Sequence, residues 1–444
     1  MVGFFKCIYI SNLFFYLGSA IVFSMVLGFF FPGLIEVSWL LMIGLVLSTL
    51  VDSLLLYRLK NGIIAERRCS DRLSNGDENK VAIEVLNNYQ FGIQIKIIDE
   101  IPYQFQVRDF LMTENIKAGK SKIINYALFP KTRGKFHFGS MNIFVSTSMG
   151  LIKRKFQIEQ GKEVAVYPSY IHLNKYDINQ LSNSINFPGI KKKRRLGHSM
   201  EFEQIKEYVQ GDDWRSVNWL ATSKSNKLMV NQYMEEKAQS VYCIIDTGRV
   251  MKMPFNGLNL LDHSINCALI ISHVVISNQD KAGLATFSRK LENRVVADRR
   301  FGQMHNILEK LYRVQTDFSE SDYGRLFVDL KKFVSQQSLL ILFSNFETID
   351  GLKRQLKYLR AIAKNHLLLI VFFKNSEIEA MMANKSEDIH GIYDKAIAEK
   401  FSYEKKLIVN ELRKYGIMSV LTEPQNLTID VINKYLEVKA RGMI

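Results

Sequence analysis

The chain has 444 residues, 47% of them apolar, and carries a formal charge of +15. That length holds about two to four domains, and only 7 prolines with no low-complexity tract exclude long disordered stretches. The four cysteines, Cys7, Cys69, Cys243 and Cys267, form no C-x-x-C pair and exclude a zinc framework. The positive balance suits either nucleic acid or an anionic membrane surface.

Residues 7–31, CIYISNLFFYLGSAIVFSMVLGFFF, run for 25 positions without a charge. About 20 apolar residues cross a bilayer as a helix. PGLIEV (32–37) reads as a turn. Residues 38–57 form a second apolar run in which Asp52 is the only charge. The expectation is a transmembrane helical hairpin within residues 1–62. A cleaved signal peptide fits poorly, because the first run is too long and a second follows at once. Lys6 precedes the hairpin, and Arg58, Lys60, Arg67 and Arg68 follow it. The positive-inside rule then puts the protein in the cell membrane with both termini cytoplasmic. Asp52 lies six residues before Arg58 and reads as a side chain snorkelling to the headgroups.

From 66 to 168 short runs alternate with period two: 81–89, 93–98, 122–129, 134–148 and 163–168. Such strands, broken by Gly, Asn and Asp, indicate an antiparallel β-sandwich-like domain. Residues 169–240 form a connector that contains the basic run KKKRR at 191–195. No interleaved aromatics accompany that run, so nucleic acid is not expected as a partner. Over 241–444 apolar strands alternate with helices, which implies a doubly wound α/β domain on a parallel sheet. The helices are expected at 260–277, 301–314, 323–336, 350–365, 376–415 and 428–441. In such sheets ligands bind beyond the carboxyl ends of the strands, where Asp246 and Asn345 fall.

The connector ends in EFEQIKEYVQGDDWRSVNWLATSKSNKLMVNQYMEE (201–236). Its centre reads as a tight turn at Gly211, a helix cap at Asp212 or Asp213, and a short helix with Val217, Leu220 and Ala221 facing inward. Asp212, Asp213 and Arg215 could pair as buried ions without doing chemistry.

This stretch resembles the signature of the bacterial DUF58 family (domain of unknown function 58). The residues that carry the resemblance are Glu201, Phe202, Tyr208, Gly211, Asp212, Asp213, Arg215, Trp219, Leu228, Val230 and Glu235, followed by a strand ending in Asp246. The order of membrane hairpin, β-domain, signature and α/β domain agrees too. The resemblance implies a von Willebrand factor A-like domain on a membrane anchor. It also implies a partner among the MoxR-type AAA+ ATPases and a part in assembling or maturing other proteins.

Domains of the A type hold magnesium with Asp-x-Ser-x-Ser, a Thr from a second loop and an Asp from a third. Here the first motif keeps Asp246 but has Gly248 and Val250 at the serine places. Ser321 falls near the place of the Thr, and Asn345 replaces the last Asp. Magnesium demands six oxygens in near-octahedral order. The degenerate set Asp246, Ser321 and Asn345 leans towards a retained shape without its metal, so no cofactor is expected. Asp246 would then cap backbone amides or pair with Arg249.

No H-E-x-x-H, G-x-S-x-G or phosphate-loop motif is present. The leading expectation is a non-enzymatic, membrane-anchored interaction protein. The alternative is a membrane-bound, envelope-associated enzyme in which Asp212, Asp213 and Asp246 converge as acids.

Overall fold

The computed structural model describes residues 8–169, 200–374 and 389–443, apart from positions 109, 211, 213, 215, 216, 226, 236, 237, 256 and 317. The basic run at 191–195 and the start of the helix expected at 376–415 lie outside the described residues. Two compact units divide the chain, residues 1–167 and residues 168–444.

The first unit opens with a short strand, β1 (Ile8–Ile10), and two apolar helices, α1 (Asn12–Gly28) and α2 (Gly33–Tyr57). The first predicted span is shorter than expected, because residues 8–10 leave the helix and pair with a strand of the sandwich. At 17 residues α1 is at the lower limit of about 17–25 for a membrane helix. The second is longer than expected. It starts at Gly33 instead of 38 and takes in Glu36. Gly28 lets the helices approach, since a Cβ there would lie 2.7 Å from Ile35. A hydrogen bond of 2.8 Å joins the hydroxyls of Ser24 and Ser38.

Ten strands follow: β2 (Ile63–Arg68), β3 (Arg72–Ser74), β4 (Asn79–Asn87), β5 (Ile93–Asp99), β6 (Met112–Ile116), β7 (Ser121–Leu128), β8 (Gly134–Phe138), β9 (Met141–Ser146), β10 (Ile152–Ile158) and β11 (Lys162–Tyr167). They form sheets of order β1-β10-β9-β5-β6, β2-β4-β7 and β3-β11-β8. All pairings are antiparallel except β3 with β11. Alternating Ile and Val from β4, β5 and β9 fill one core, including Ile83, Val85, Ile95, Ile97, Ile143 and Val145. The sheet pattern needs every second residue buried, which is the period read from the sequence.

Asp52 does not snorkel. It is fully buried. Its carboxylate accepts from Thr147 Oγ1 at 2.5 Å and from the backbone N–H groups of Leu151 and Ile152 at 3.1 and 3.0 Å. Its partners are the turn between β9 and β10, so α2 is bolted to the sandwich. Arg154 adds a cap on the last turn, donating to Leu56 O at 2.5 Å and Leu59 O at 2.6 Å. Cations at a helix C-terminus satisfy its orphan carbonyls. Arg67, counted above as a flanking charge, is also inside the sandwich, paired with Asp99.

The second unit begins with a hairpin, β12 (Met200–Glu207) and β13 (Met229–Glu235), that carries a short helix α3 (Trp219–Ser225). Then come β14 (Ser240–Asp246), α4 (Leu260–Ser277), β15 (Lys281–Phe287), β16 (Leu291–Asp298), α5 (Gln303–Tyr312), α6 (Tyr323–Phe333), β17 (Leu339–Phe343), α7 (Ile349–Asn365), β18 (Leu367–Phe373), α8 (Ile389–Lys414), β19 (Met418–Thr422) and α9 (Leu427–Ala440). The main sheet has the order β16-β15-β14-β17-β18-β19. It is parallel except for the edge strand β16, which departs from the all-parallel expectation. β15 and β16 are joined by a short turn, and a hairpin connection forces antiparallel pairing.

Alternate residues of β14 face opposite layers. Val241, Cys243 and Ile245 meet α4, α5 and α9, whereas Tyr242 and Ile244 meet α6, α7 and α8. Cys243 and Cys267 are buried core residues, and burial pushes the Cys243 thiol up to about 12. α2 and α4 are both long and apolar enough to cross a membrane. α4 is the central core helix of this unit, with most of its length buried.

Candidate functional site

Asp246 ends β14, the strand from which the connections diverge. The chain leaves through α4 to β15 on one side and returns to β17 on the other. Ligands bind at such a switch point because the two diverging loops leave a crevice. Asp246 flanks it on one strand, and Ser344 and Asn345 flank it on the next.

The Asp246 carboxylate is fully buried. Its Oδ1 accepts from Ser321 Oγ at 2.5 Å and from the Gly248 backbone N–H at 2.8 Å. Its Oδ2 accepts from Ser344 Oγ at 2.7 Å and from the Tyr323 hydroxyl at 3.3 Å. Tyr323 and Ser344 also share a hydrogen bond of 2.7 Å. Every one of these donors is neutral. Burial therefore pushes the Asp246 carboxyl up, and the hydrogen bonds from Ser321, Ser344, Gly248 and Tyr323 hold it partly down. The Tyr323 phenol is pushed well up, by burial first and then by the neighbouring carboxylate.

The expected partner Arg249 does not appear among these contacts. The capping of a backbone amide does, through Gly248. The backbone there is ordinary, with φ of −80°, so the glycine is required for space. A Cβ at 248 would lie 2.0 Å from Ser321 Oγ and 2.9 Å from Ser319 O. Ser321 Oγ thus fills the space that a side chain at 248 would need. Gly248→Ser should lose about 1–3 kcal/mol through overpacking, read as a lower denaturant midpoint at unchanged slope. An unchanged midpoint would show that the Ser321 loop yields freely.

Asp246 and Ser321 are therefore brought together, while Asn345, next to Ser344, turns its side-chain oxygen to another partner. Asn345 Oδ1 accepts from Lys405 Nζ at 2.6 Å, and the same ammonium donates to Phe346 O at 2.6 Å. Burial pushes Lys405 down to about 8. Val250 is half-buried against the core and offers no oxygen. A divalent ion does not fit this set. The Asp246 oxygens already accept four hydrogen bonds, and Asn345 faces a cation. Among the described residues no group of three His, Cys, Asp or Glu side chains stands at metal-holding distance.

The sequence reading missed Ser344, Tyr323 and Lys405. Ser344 follows the strand beside β14, and that adjacency is the one signal that could have found it.

Of the signature residues, Gly211, Asp213 and Arg215 lie outside the described residues. Tyr208 N–H donates to Leu228 O at 2.7 Å and closes the base of the segment that joins β12 to β13. Asp212 accepts from Lys206 Nζ at 2.9 Å and from Val209 N–H at 3.1 Å. Its ion partner is thus Lys206, which with the local hydrogen bonds holds its carboxyl low. The cap of α3 is Asn218, whose Oδ1 accepts from Ala221 N–H at 3.0 Å, instead of Asp212. Leu220 does not face inward. It and Trp219 are 72% and 71% exposed. Among the described residues no partner of Asp212 is also a partner of Asp246.

The hairpin followed directly by the Asp246 strand is the arrangement on which the resemblance rested. Residues 204–381 match the family model described as Protein of unknown function DUF58. Asp246, Ser321, Tyr323, Ser344 and Asn345 lie inside that stretch, and Lys405 lies beyond it. The chain is also 22% identical over 261 residues to the Uncharacterized protein YeaD of Bacillus subtilis (strain 168), covering 57% of this chain and 63% of that one. The chain thus spans less than two thirds of that relative's length. Among solved structures, a CARDB domain from Pyrococcus furiosus is 12% identical over 23% of this chain and 86% of that one, with a TM-score of 0.17. A PapD-like domain of human CEP192 is 9% identical over 24% of this chain and 87% of that one, with a TM-score of 0.18. Likeness at these scores carries no argument.

Proposed function

We propose that this protein is a non-enzymatic, membrane-anchored interaction protein. Its second unit is a von Willebrand factor A-like domain that binds a protein partner at the carboxyl ends of its strands. The partner is a MoxR-type AAA+ ATPase, and the pair assembles or matures other proteins. The helices α1 and α2 cross the cell membrane as a hairpin, with both termini in the cytoplasm.

The observation that carries this reading is the Asp246 cluster. Donors from three separate loops, at 248, at 321–323 and at 344, converge on one buried carboxylate. Such a network fixes the loops around the switch point as one surface, which suits recognition of a partner. Rigid partner surfaces do not need a metal, and we take this one to act without magnesium. The match to a DUF58 model supports the family setting. Asp212 and Asp246 hold separate sets of hydrogen-bond partners among the described residues, which favours the interaction reading over the enzyme alternative.

The test uses the full chain in lipid nanodiscs. A MoxR-type ATPase from the same genome should be retained with a nucleotide present. Trypsin in sealed inverted vesicles should reach both units, since both are cytoplasmic in this topology. Isothermal titration of magnesium should show no micromolar site. Failure to retain any such ATPase, or protection of the units in inverted vesicles, would overturn the reading.

A further inference from the structure

A cavity of ≈ 470 Å³ opens at the carboxyl ends of β17, β18 and β19. It lies within the range of about 300–1,000 Å³ typical of small-ligand pockets. Its walls are mainly apolar, with Phe255, Leu260, Phe373, Phe401, Leu421 and Pro424 among them. Lys405 lies at its edge with Asn345. Charged side chains on the same wall are Glu347, Lys374 and Lys406.

Lys405 is the chemical anomaly of this region. Its ammonium is largely desolvated, yet both hydrogen-bond acceptors it uses are neutral oxygens, Asn345 Oδ1 and Phe346 O. Among the described residues no carboxylate forms an ion pair with it. Glu347 acts on it only as a weaker, longer-range charge. An ammonium has three N–H donors, so one remains beyond these two acceptors. A half-buried cation with no direct ion pair, only neutral oxygens and the Phe372 ring face 5.9 Å from its ammonium, is costly, and a protein either neutralises it or supplies an anion. The cavity beside it has room for that anion, with apolar walls for whatever the anion is attached to.

We propose that this cavity binds a small organic carboxylate with an apolar body, the carboxylate paired with the Lys405 ammonium. A carboxylate with an apolar body suits the site better than phosphate, because the walls are mainly apolar and Lys405 has one N–H left beyond its two acceptors. The apolar body lies against the aromatic and aliphatic walls. The Lys405–Asn345 hydrogen bond already ties α8 to the loop after β17, and the ligand's charge adds to that junction. The α8 and β19 parts of this site, Pro424 included, lie beyond the stretch that matches the DUF58 model, and the rest of its lining lies within it. The site does not depend on the partner proposed above.

The probe is 3-phenylpropionate, with the neutral 3-phenylpropanamide as its control. Both are titrated calorimetrically into the full chain in nanodiscs of zwitterionic lipid. At pH 7 the carboxylate should bind about tenfold more tightly than the amide, the effect expected of one charge-assisted hydrogen bond. The preference should fall as pH rises through about 8, where the ammonium loses its proton, while amide binding stays constant. Lys405→Met should abolish the preference and keep amide binding, which also reports that the cavity is still folded. The pH arm uses the unaltered protein and stands even if that variant does not fold. Equal binding of both probes, a preference unchanged from pH 7 to 9.5, or no binding of either, would overturn the proposal. ATPase retention is measured on the same samples. Loss of the carboxylate preference with retention intact would sink this site alone.

Discussion

Asp246→Asn should stabilise the second unit at neutral pH, whereas Asp246→Ala should destabilise it by about 2–4 kcal/mol. The two changes separate the charge of the carboxylate from its hydrogen bonds. Asparagine keeps the shape. Its Oδ1 can still accept from Gly248 N–H and Ser321, and its amide can donate to the hydroxyls of Ser344 and Tyr323, which rotate to accept. What it removes is a titratable carboxyl whose ionisation is disfavoured in a fully buried place with no cation among its partners. Alanine removes the acceptor and strands a backbone N–H and three hydroxyls, of which Tyr323 and Ser344 can still pair with each other.

The pH dependence has a definite sign. Burial raises the folded-state pKa of Asp246 above its unfolded value near 3.8. The native state therefore holds the proton more tightly than the unfolded chain. The stability this group contributes is present below the unfolded pKa and is lost as pH rises through the folded one. The Asn variant should lose that component of the profile, so its advantage over the parent should grow with pH across that window. Thermal or denaturant unfolding of parent and variants from pH 4 to 7 measures it. A parent more stable than the Asn variant at pH 7 would mean that the ionised carboxylate is itself favoured, most simply by a cation.

How much of this was visible beforehand follows from what each segment buries. Leu260–Ser277 was legible to the residue, because a core helix repeats its apolar face without interruption. The strands of the main sheet were legible to within a few residues, since strands buried on both faces are continuous apolar runs. β2 and β10 were not. Their sequences, IIAERR and IKRKFQI, hide a buried face behind charges, and in β2 the guanidinium of Arg67 itself turns inward. Within the site, Asp246 and Ser321 could be found through the A-type pattern. Ser344 could be found only from the adjacency of its strand to β14, and Tyr323 and Lys405 not at all, because they reach their partners across 77 and 60 positions of chain. Nothing local marks such a meeting. Asp52 misled for the same reason: its partners at 147–152 are about a hundred residues away.

Arg67→Met should cost the first unit about 3–5 kcal/mol, more than any surface charge in the chain. Arg67 and Asp99 have side chains 2% and 0% exposed and form an ion pair. The guanidinium also donates to Gln160 O at 3.0 Å and Gly139 O at 3.1 Å, and its face lies 5.0 Å from the Phe138 ring centroid. On the other side the Tyr126 hydroxyl donates to Asp99 at 2.5 Å. One arginine thus ties β2 to β5 and to the turns after β8 and β10. Methionine fills the volume but leaves Asp99 as a buried carboxylate with a single remaining hydroxyl donor, and it strands two carbonyls. Arg67→Lys should recover only part, because one ammonium cannot reproduce the planar fork that reaches Asp99 and both carbonyls. Chemical unfolding of the full chain in nanodiscs, followed by a probe in the sandwich, reads the loss. The second unit's transition should not move, since none of the broken contacts belongs to it. A Met variant within about 0.5 kcal/mol of the parent would mean that the desolvation of the pair cancels its attraction, and that hydrophobic packing alone holds these sheets together.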